Sequence, residues 1–303
     1  MDERKWEIDS NKVFACIPKR KRDSHKGDYG RALIIAGSEQ YTGAAYLAAA
    51  ACLRAGAGYT TLCVPQSILP YYILKAPEIL LKATNEGGRY AFNADFMQEI
   101  CACESIAYGM GMGVSEEVQK GAVYLIENYT GRLIIDADGL NSLALLGESG
   151  LQRVFARKKC DILLTPHAKE FSRLIGAETQ TILQNREGYL VAFAQKYGVS
   201  LLLKGAHTLL TDGAQIAVNT AGCSGQAKGG SGDVLAGVIA GLCAQGATAF
   251  DGGYIGAFLT GKASEIACKE TGEYSLTATD EINALGRAFL FVAENAHEDR
   301  NEQ

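Results

Sequence analysis

Short apolar runs alternate with longer stretches of helical periodicity along almost the whole chain. The short runs predict strands over Ala32–Ala36, Tyr59–Val64, Ser105–Tyr108, Leu133–Asp136, Asp161–Leu164 and Ser200–Lys204. Most are continuously apolar instead of alternating, as in strands covered on both faces. Between and beyond them, helices are predicted over Gly43–Arg54, Ala94–Cys101, Glu116–Asn128, Leu140–Leu146, Lys169–Ile175, Thr181–Lys196, Ser231–Gln245, Thr248–Lys269 and Asp280–Asn295. That order predicts an α/β fold with a mainly parallel central sheet and helices on both faces. His207–Thr211 and Gln215–Asn219, joined across Asp212-Gly213, read as a small hairpin at the sheet's edge. No linker and no repeat divides the chain. A single domain over 1–303 is expected, with residues 1–24 and 297–303 loosely held, as termini often are.

In such a sheet a ligand sits outside the C-terminal strand ends. The loops there are Gly37–Ala44, Gly109-Met-Gly-Met-Gly113, Asp136–Asn141, Thr165–Glu170, Lys204–Thr208 and Gly229–Asp233. The last, reached from Lys228 and running into the apolar stretch Val234–Leu242, is the most telling. Its glycines let the backbone approach a bound group. A helix beginning there aims its unpaired N–H groups and positive dipole end at the same spot, which favours phosphate. A carboxylate repels phosphate, so Asp233 is either a helix cap or a base that deprotonates a hydroxyl beside the phosphoryl group it attacks.

The other loops carry less. The alanines after Gly43 suit close helix–sheet packing, and the helix start at Ala44 could also face a phosphate. Gly109–Gly113 lacks the dinucleotide spacing and reads as a backbone cradle. Asp136, Asp138 and Asn141 end a strand and start a helix, where Asp138 caps the helix or helps orient a hydrated cation or a sugar hydroxyl. His167 is a loop histidine, placed where ligand contacts concentrate. Glu170 suits the first turn of a helix and could hold water on Mg²⁺. Lys204 could meet a phosphate as a point charge or guard an edge strand, and Lys228 is the stronger phosphate partner.

Composition narrows the classes. With 48% hydrophobic and 21% charged residues the chain has ample core. A net charge of −5 argues against nucleic acid as a partner. Nothing approaches the ~18 apolar residues of a membrane span. Nine cysteines, an odd number with no regular framework and no leader-like stretch before them, lead us to expect a reduced, cytoplasmic setting.

Together these motifs resemble the ADP/ATP-dependent NAD(P)H-hydrate dehydratases of the ribokinase-like superfamily. The resemblance is carried by His25–Arg31, Tyr41–Ala44, Leu53–Gly58, Asp136–Asn141, Thr165–His167 with Glu170, Lys204–Thr208 and Gly229–Asp233. It implies a three-layer ribokinase-like fold and a lyase of metabolite repair. The reaction would use ADP or ATP, with Mg²⁺, to dehydrate NADHX and NADPHX, releasing AMP or ADP and phosphate. It implies that Ala44, Gly111 or Gly113, His167 and Asp233 contact the hydrated nucleotide. Lys204, Gly205, Ala206, His207, Thr208 and Gly232 would lie against the adenine nucleotide. Asp233 would be the catalytic base, while Lys228 and the amides of Gly229, Gly230, Ser231 and Gly232 would stabilise the transferring group. Relatives often form tetramers, so a homo-oligomer is expected. Gly222–Lys228 lacks the Asn-Pro and Met that many relatives carry. Only about 25 residues precede the match, so an epimerase activity is expected on a separate chain. The rival reading is a ribokinase-like kinase that phosphorylates a small alcohol, although such kinases tend to carry Asn where this chain has His167. A non-catalytic nucleotide sensor is a third, disfavoured by an intact Asp233.

Overall fold

Four- to six-residue apolar runs become strands here because helices bury both of their faces. The structure, a computed structural model, describes residues 4–298. Its strands are β1 Lys5–Glu7, β2 Arg31–Ile35, β3 Tyr59–Val64, β4 Leu80–Ala83, β5 Ser105–Tyr108, β6 Arg132–Ile135, β7 Asp161–Leu164, β8 Ser200–Leu203, β9 Thr208–Thr211 and β10 Ile216–Asn219. Its α-helices are α1 Ser10–Cys16, α2 Thr42–Arg54, α3 Ala94–Ile100, α4 Glu116–Asn128, α5 Ala137–Ala144, α6 Gly147–Phe155, α7 Ala168–Ile175, α8 Thr179–Gln184, α9 Arg186–Tyr197, α10 Ser231–Ala244, α11 Ala249–Thr271 and α12 Ala278–Glu298.

The strands form one sheet in the order β1-β10-β9-β8-β7-β6-β5-β2-β3-β4. β2 through β8 pair in parallel, while β9 is antiparallel to both its neighbours. Side chains alternate between two cores, as the strand period requires. Ile34, Ala107, Ile134, Leu163 and Leu202 point toward α2, α10, α11 and α12. Leu33, Ile106, Leu133, Ile162 and Leu201 point toward α3 to α9. The chain winds outward from β2 to β4 on one side and from β5 to β8 on the other. The strand order therefore reverses between β2 and β5, which opens a crevice at their C-terminal ends.

Three expectations need correction. The β9–β10 hairpin does not form the edge, because Lys5–Glu7 pairs in parallel with β10. The first 24 residues are correspondingly not loose throughout. Trp6 donates from Nε1 to Gln215 Oε1 at 3.1 Å and packs edge-on against Tyr254, and α1 follows. Residues 1–3 and 299–303 lie outside the described residues. Finally, the helix expected over 181–196 breaks at Asn185, whose backbone leaves the helical region and whose side chain accepts from Gly188 N–H to start α9. The short elements β4 and α6 lie outside the predicted ones, although α6 is amphipathic and buries Gly150, Leu151, Val154 and Phe155 on one face.

The alanines of α2 serve helix-on-helix contact as much as helix-on-sheet contact. A Cβ on Gly237 of α10 would stand 2.1 Å from the Ala48 carbonyl oxygen, and one on Gly241 2.6 Å from that of Cys52. Backbone approach this close fixes the start of α10 beside the crevice. No described helix is long and apolar enough to cross a membrane.

Candidate functional site

The ends of β6, β7 and β8 bring a charged cluster together. Asp136 directly follows β6 and stands at the N-cap of α5, yet its carboxylate does not cap that helix. It accepts instead from Lys204 Nζ at 2.7 Å. Lys204 is held at the end of β8, where its N–H donates to the Pro166 carbonyl at 2.9 Å. The same ammonium lies 3.9 Å from Glu170 Oε2. Asp136 and Glu170 are both buried. Burial works against the Lys204 charge, but Asp136, Glu170 and Asp233 outweigh it and hold its pKa above the ordinary value. Ala137, next to Asp136, has φ +49°, a conformation alanine rarely adopts. A Cβ on Gly109 would stand 2.2 Å from the Asp136 carbonyl oxygen, so the β5 and β6 loops cross here at backbone contact.

His167 and Glu170 form a capping box at the start of α7. His167 Nδ1 accepts from the N–H groups of Lys169 and Glu170 at 3.1 and 3.3 Å. Glu170 Oε2 accepts from His167 N–H at 2.8 Å, and His167 Nε2 stands 3.3 Å from Glu170 Oε1. With Nδ1 accepting, the imidazole is neutral and carries its proton on Nε2. Burial, then the Lys204 charge, lower its pKa further. The imidazole remains half-exposed.

α10 begins without any side-chain cap. Gly230, its N-cap, has φ +105°, and Ser231 Oγ donates to buried Glu281 Oε1 at 2.6 Å. The amides of the first turn are therefore left unbonded by side chains and face outward. A Cβ on Gly232 would lie 3.4 Å from Lys204 Nζ and 3.8 Å from Asp136 Oδ2, which places this turn against the charged cluster. Asp233 stands in the same turn and does not cap the helix. Burial first, then Asp136, Asp138 and Glu170, push its carboxyl up to about 7 against the pull of Lys204. A carboxyl in that range can take up a proton near neutral pH.

Beside this turn lies a cavity of about 850 Å³. His167, Lys204, Gly205, Ala206, Thr208, Lys228, Gly229, Ser231 and Gly232 line it. His207 and Gly230 do not; His207 is exposed, and its carbonyl accepts from Arg186. Lys228 Nζ is committed to the carbonyls of Tyr274 and Leu276 at 2.5 and 2.8 Å, which ties the loop before α10 to the turn before α12. Its ammonium is thus engaged by that turn at the cavity's edge.

Ala44, Gly111 and Gly113 lie elsewhere, in the crevice beside β2 and β5. Gly111 has φ +63°, and a Cβ there would stand 3.0 Å from the Ala44 Cβ. Gly113 N–H donates to Asp138 Oδ2 at 2.8 Å. Asp138, whose charge also raises Asp233, thus links the crevice to the cluster. Asp233 feels the charges of both Lys204, which lines the cavity, and Asp138, which holds Gly113.

Two residues were not singled out from the sequence. Asp136, weighed only as part of a loop, is the main partner of Lys204. Asn219 lines the cavity from β10, donating to the Ala221 and Ala257 carbonyls while its buried Oδ1 has no partner. A polar residue closing an otherwise apolar strand was its only sequence signal. Among the described residues no group of three or more His, Cys, Asp and Glu side chains is placed to hold a metal directly. Glu170 is already engaged by His167 and Lys204, so its fit to Mg²⁺ is through water.

The family model described as NAD(P)H-hydrate dehydratase matches residues 32–286. The chain is 36% identical over 284 residues to the bifunctional NAD(P)H-hydrate repair enzyme of Thermofilum pendens, covering 92% of this chain and 53% of that one. It is 34% identical over 275 residues to the enzyme of the same name from Moorella thermoacetica, covering 89% and 51%. The chain thus spans about half the length of the curated relatives it matches. Among solved structures, the ADP/ATP-dependent NAD(P)H-hydrate dehydratase from Bacillus subtilis, co-crystallised with ATP and Mg²⁺, superposes with a TM-score of 0.81 at 26% identity, covering 94% and 97%. A hydroxyethylthiazole kinase from Pyrococcus horikoshii shares the ribokinase-like fold alone, with a TM-score of 0.54 at 14% identity and 85% and 88% coverage.

Proposed function

The chain belongs to the NAD(P)H-hydrate dehydratase family, and on that premise we propose that it repairs NADHX and NADPHX by dehydration driven by ADP or ATP. The observation that carries the reading is Asp233: a carboxyl raised to about 7, in the uncapped first turn of α10, within reach of the charges of Lys204 and Asp138. The crevice beside Ala44, Gly111 and Gly113 takes the hydrated nicotinamide nucleotide, with His167 reaching toward it from the cavity wall. The cavity takes the adenine nucleotide, along Lys204 to Thr208 and Gly229 to Gly232.

Asp233 accepts the proton of the ring hydroxyl as that oxygen attacks the terminal phosphoryl group. The free amides of α10 hold charge developing on the phosphoryl oxygens, the positioning that dominates phosphoryl transfer. Mg²⁺, when bound, offsets further negative charge there, with Glu170 able to orient its water. The phosphorylated hydroxyl then departs as phosphate, pushed by the ring nitrogen lone pair; the adjacent ring carbon gives up a proton to the departing phosphate, and NADH or NADPH is restored. Lys228 holds the loop before α10 in place, a revision of its expected role on phosphate. Lys204, paired with Asp136, is a fixed local counter-charge.

The fold is equally that of small-alcohol kinases, but the 26% match lies with the dehydratase and the kinase match is 14%. Incubating the chain with chemically prepared NADHX, Mg²⁺ and ADP or ATP separates the two. Recovery of reduced-nicotinamide absorbance in step with phosphate release supports repair. A stable phosphorylated alcohol with no phosphate released would assign the kinase reaction. A homo-oligomer working in a reduced, cytoplasmic setting belongs to the same proposal.

A further inference from the structure

The wall of the cavity carries a pair of thiols with no part in the chemistry above. Cys223 lines the cavity from the loop between β10 and α10, and Cys268 lies near the end of α11. Their sulfurs are 2.8 Å apart, and both cysteines are partly exposed. Cys52, Cys63, Cys160 and Cys243 are buried away from any oxidant. The loop is already stitched to the same region. Gly222 N–H donates to Glu265 Oε1 at 2.8 Å, and Ser224 Oγ donates to Glu273.

We propose that Cys223 and Cys268 are a reversible dithiol modification site, whose closure to a disulfide staples the cavity wall to α11. A disulfide needs its sulfurs about 2.05 Å apart, so closure asks them to approach by only about 0.8 Å. The oxidant is a low-molecular-weight disulfide. The Cys223 thiol loses its proton and attacks one oxidant sulfur, forming a mixed disulfide and expelling one small thiolate. The Cys268 sulfur, deprotonated in turn, attacks Cys223 and expels the second. The two protons go to the expelled sulfurs, so two protein thiols are oxidised to one disulfide and one small disulfide is reduced to two thiols. Cys223 is the entry point because it faces the open cavity, whereas burial and the adjacent sulfur keep the proton on Cys268.

Because the shift is small, closure holds the wall in the arrangement it already has. Fluctuation of the loop is suppressed, and a ligand resting on it finds the wall ordered beforehand. The effect on ADP rests on the proposed function; the cross-link itself does not.

The test treats the intact chain with oxidised glutathione and maps disulfides by mass spectrometry of digests. It then compares amide hydrogen exchange over residues 221–228 before and after, with dithiothreitol reversal. A 223–268 bond, at least tenfold slower exchange in that segment, and reversal on reduction are expected, with ADP binding two- to fivefold tighter in the oxidised form. Cys223→Ser and Cys268→Ser should each abolish the bond, and Cys16→Ser should keep it. The proposal is overturned if no 223–268 bond forms, or if it forms and exchange of the loop is unchanged. ADP titration of the reduced chain tests the nucleotide assignment by itself. A formed bond with slowed exchange but no ADP binding in either form would refute that assignment and leave the dithiol supported.

Discussion

Replacing Asp233 by Asn should weaken catalysis and strengthen the fold at once. Burial and its acidic neighbours lift the carboxyl from its ordinary 3.8 to about 7. Holding it ionised in the native state therefore costs on the order of 4 kcal/mol, of which solvent reaching the first turn leaves about 1–4 kcal/mol to be measured. For the sign, the folded chain binds this proton between pH 4 and 7 while the unfolded chain has released it. Native stability consequently falls as pH rises through that window. The amide of Asp233→Asn has no such proton to lose. Urea denaturation should show Asp233→Asn level with the parent below about pH 4, gaining steadily to pH 7, and ahead by a constant margin above it. In the hydrate-dependent assay the parent's kcat/KM should climb tenfold per pH unit below about 7 and level off above, because the ionised carboxylate is the base. The variant should lose roughly 10²–10⁴-fold in rate at neutral pH. The reasoning is refuted if Asp233→Asn keeps more than a tenth of parent turnover, or if it is the less stable protein at pH 8.

Three further outcomes follow from neighbouring groups. Lys204→Met strips the counter-charge from buried Asp136 and should cost about 3–5 kcal/mol in urea melts. Since Lys204 holds Asp233 down, it should also move the acidic limb of kcat/KM to higher pH. His167→Ala removes the acceptor that starts α7 and should cost about 1 kcal/mol by thermal unfolding. His167→Asn should recover that stability but not the activity, which separates the cap from the ligand contact. Gly237→Ala places a Cβ 2.1 Å from the Ala48 carbonyl oxygen and should lower Tm through a loss of about 1–3 kcal/mol, with the pH profile of surviving activity unmoved.

The parallel sheet was legible because its strands are continuously apolar, and the C-terminal loops then followed from the rule for open sheets. Asp233 and His167 stood out since each sits where a short strand or a glycine run yields to a helix. What stayed hidden is long-range. Lys5–Glu7 shows no strand pattern of its own and becomes one only because β10 offers an unpaired edge. Asp136 and Lys204, 68 positions apart, meet only once β6, β7 and β8 are aligned. Lys228 misled for the opposite reason. Its place beside a glycine loop suggests phosphate, but carbonyls from the turn before α12 claim it first. The break at Asn185 interrupts a run whose periodicity continues across it, so pattern alone carried one helix through.

The charged cluster is better understood as a device for setting one proton than as a source of stability. Asp136 and Glu170 contribute two negative charges, and Lys204 cancels one. The remainder faces Asp233 as a net repulsion in a buried setting, and this, added to burial, lifts its carboxyl. Without Asp136 one repulsive charge would be lost and the pull of Lys204 would move Asp233 toward more acidic values. Without Lys204 the carboxyl would stay protonated to higher pH and act as a base only above it. Such a balance must respond to any charge placed in the cavity. ADP with one Mg²⁺ carries a net negative charge, and at an effective dielectric near 20 one unit about 6 Å away is worth about 3 kcal/mol, roughly two pH units. The profile of kcat/KM reports the free enzyme and that of kcat the loaded one. With saturating ADP and Mg²⁺, the acidic limb of kcat should therefore lie roughly 1–2 pH units above that of kcat/KM. Coincident limbs would mean that Asp233 does not feel the cosubstrate, and a cavity that leaves Asp233 unaffected cannot be where its phosphoryl group is held.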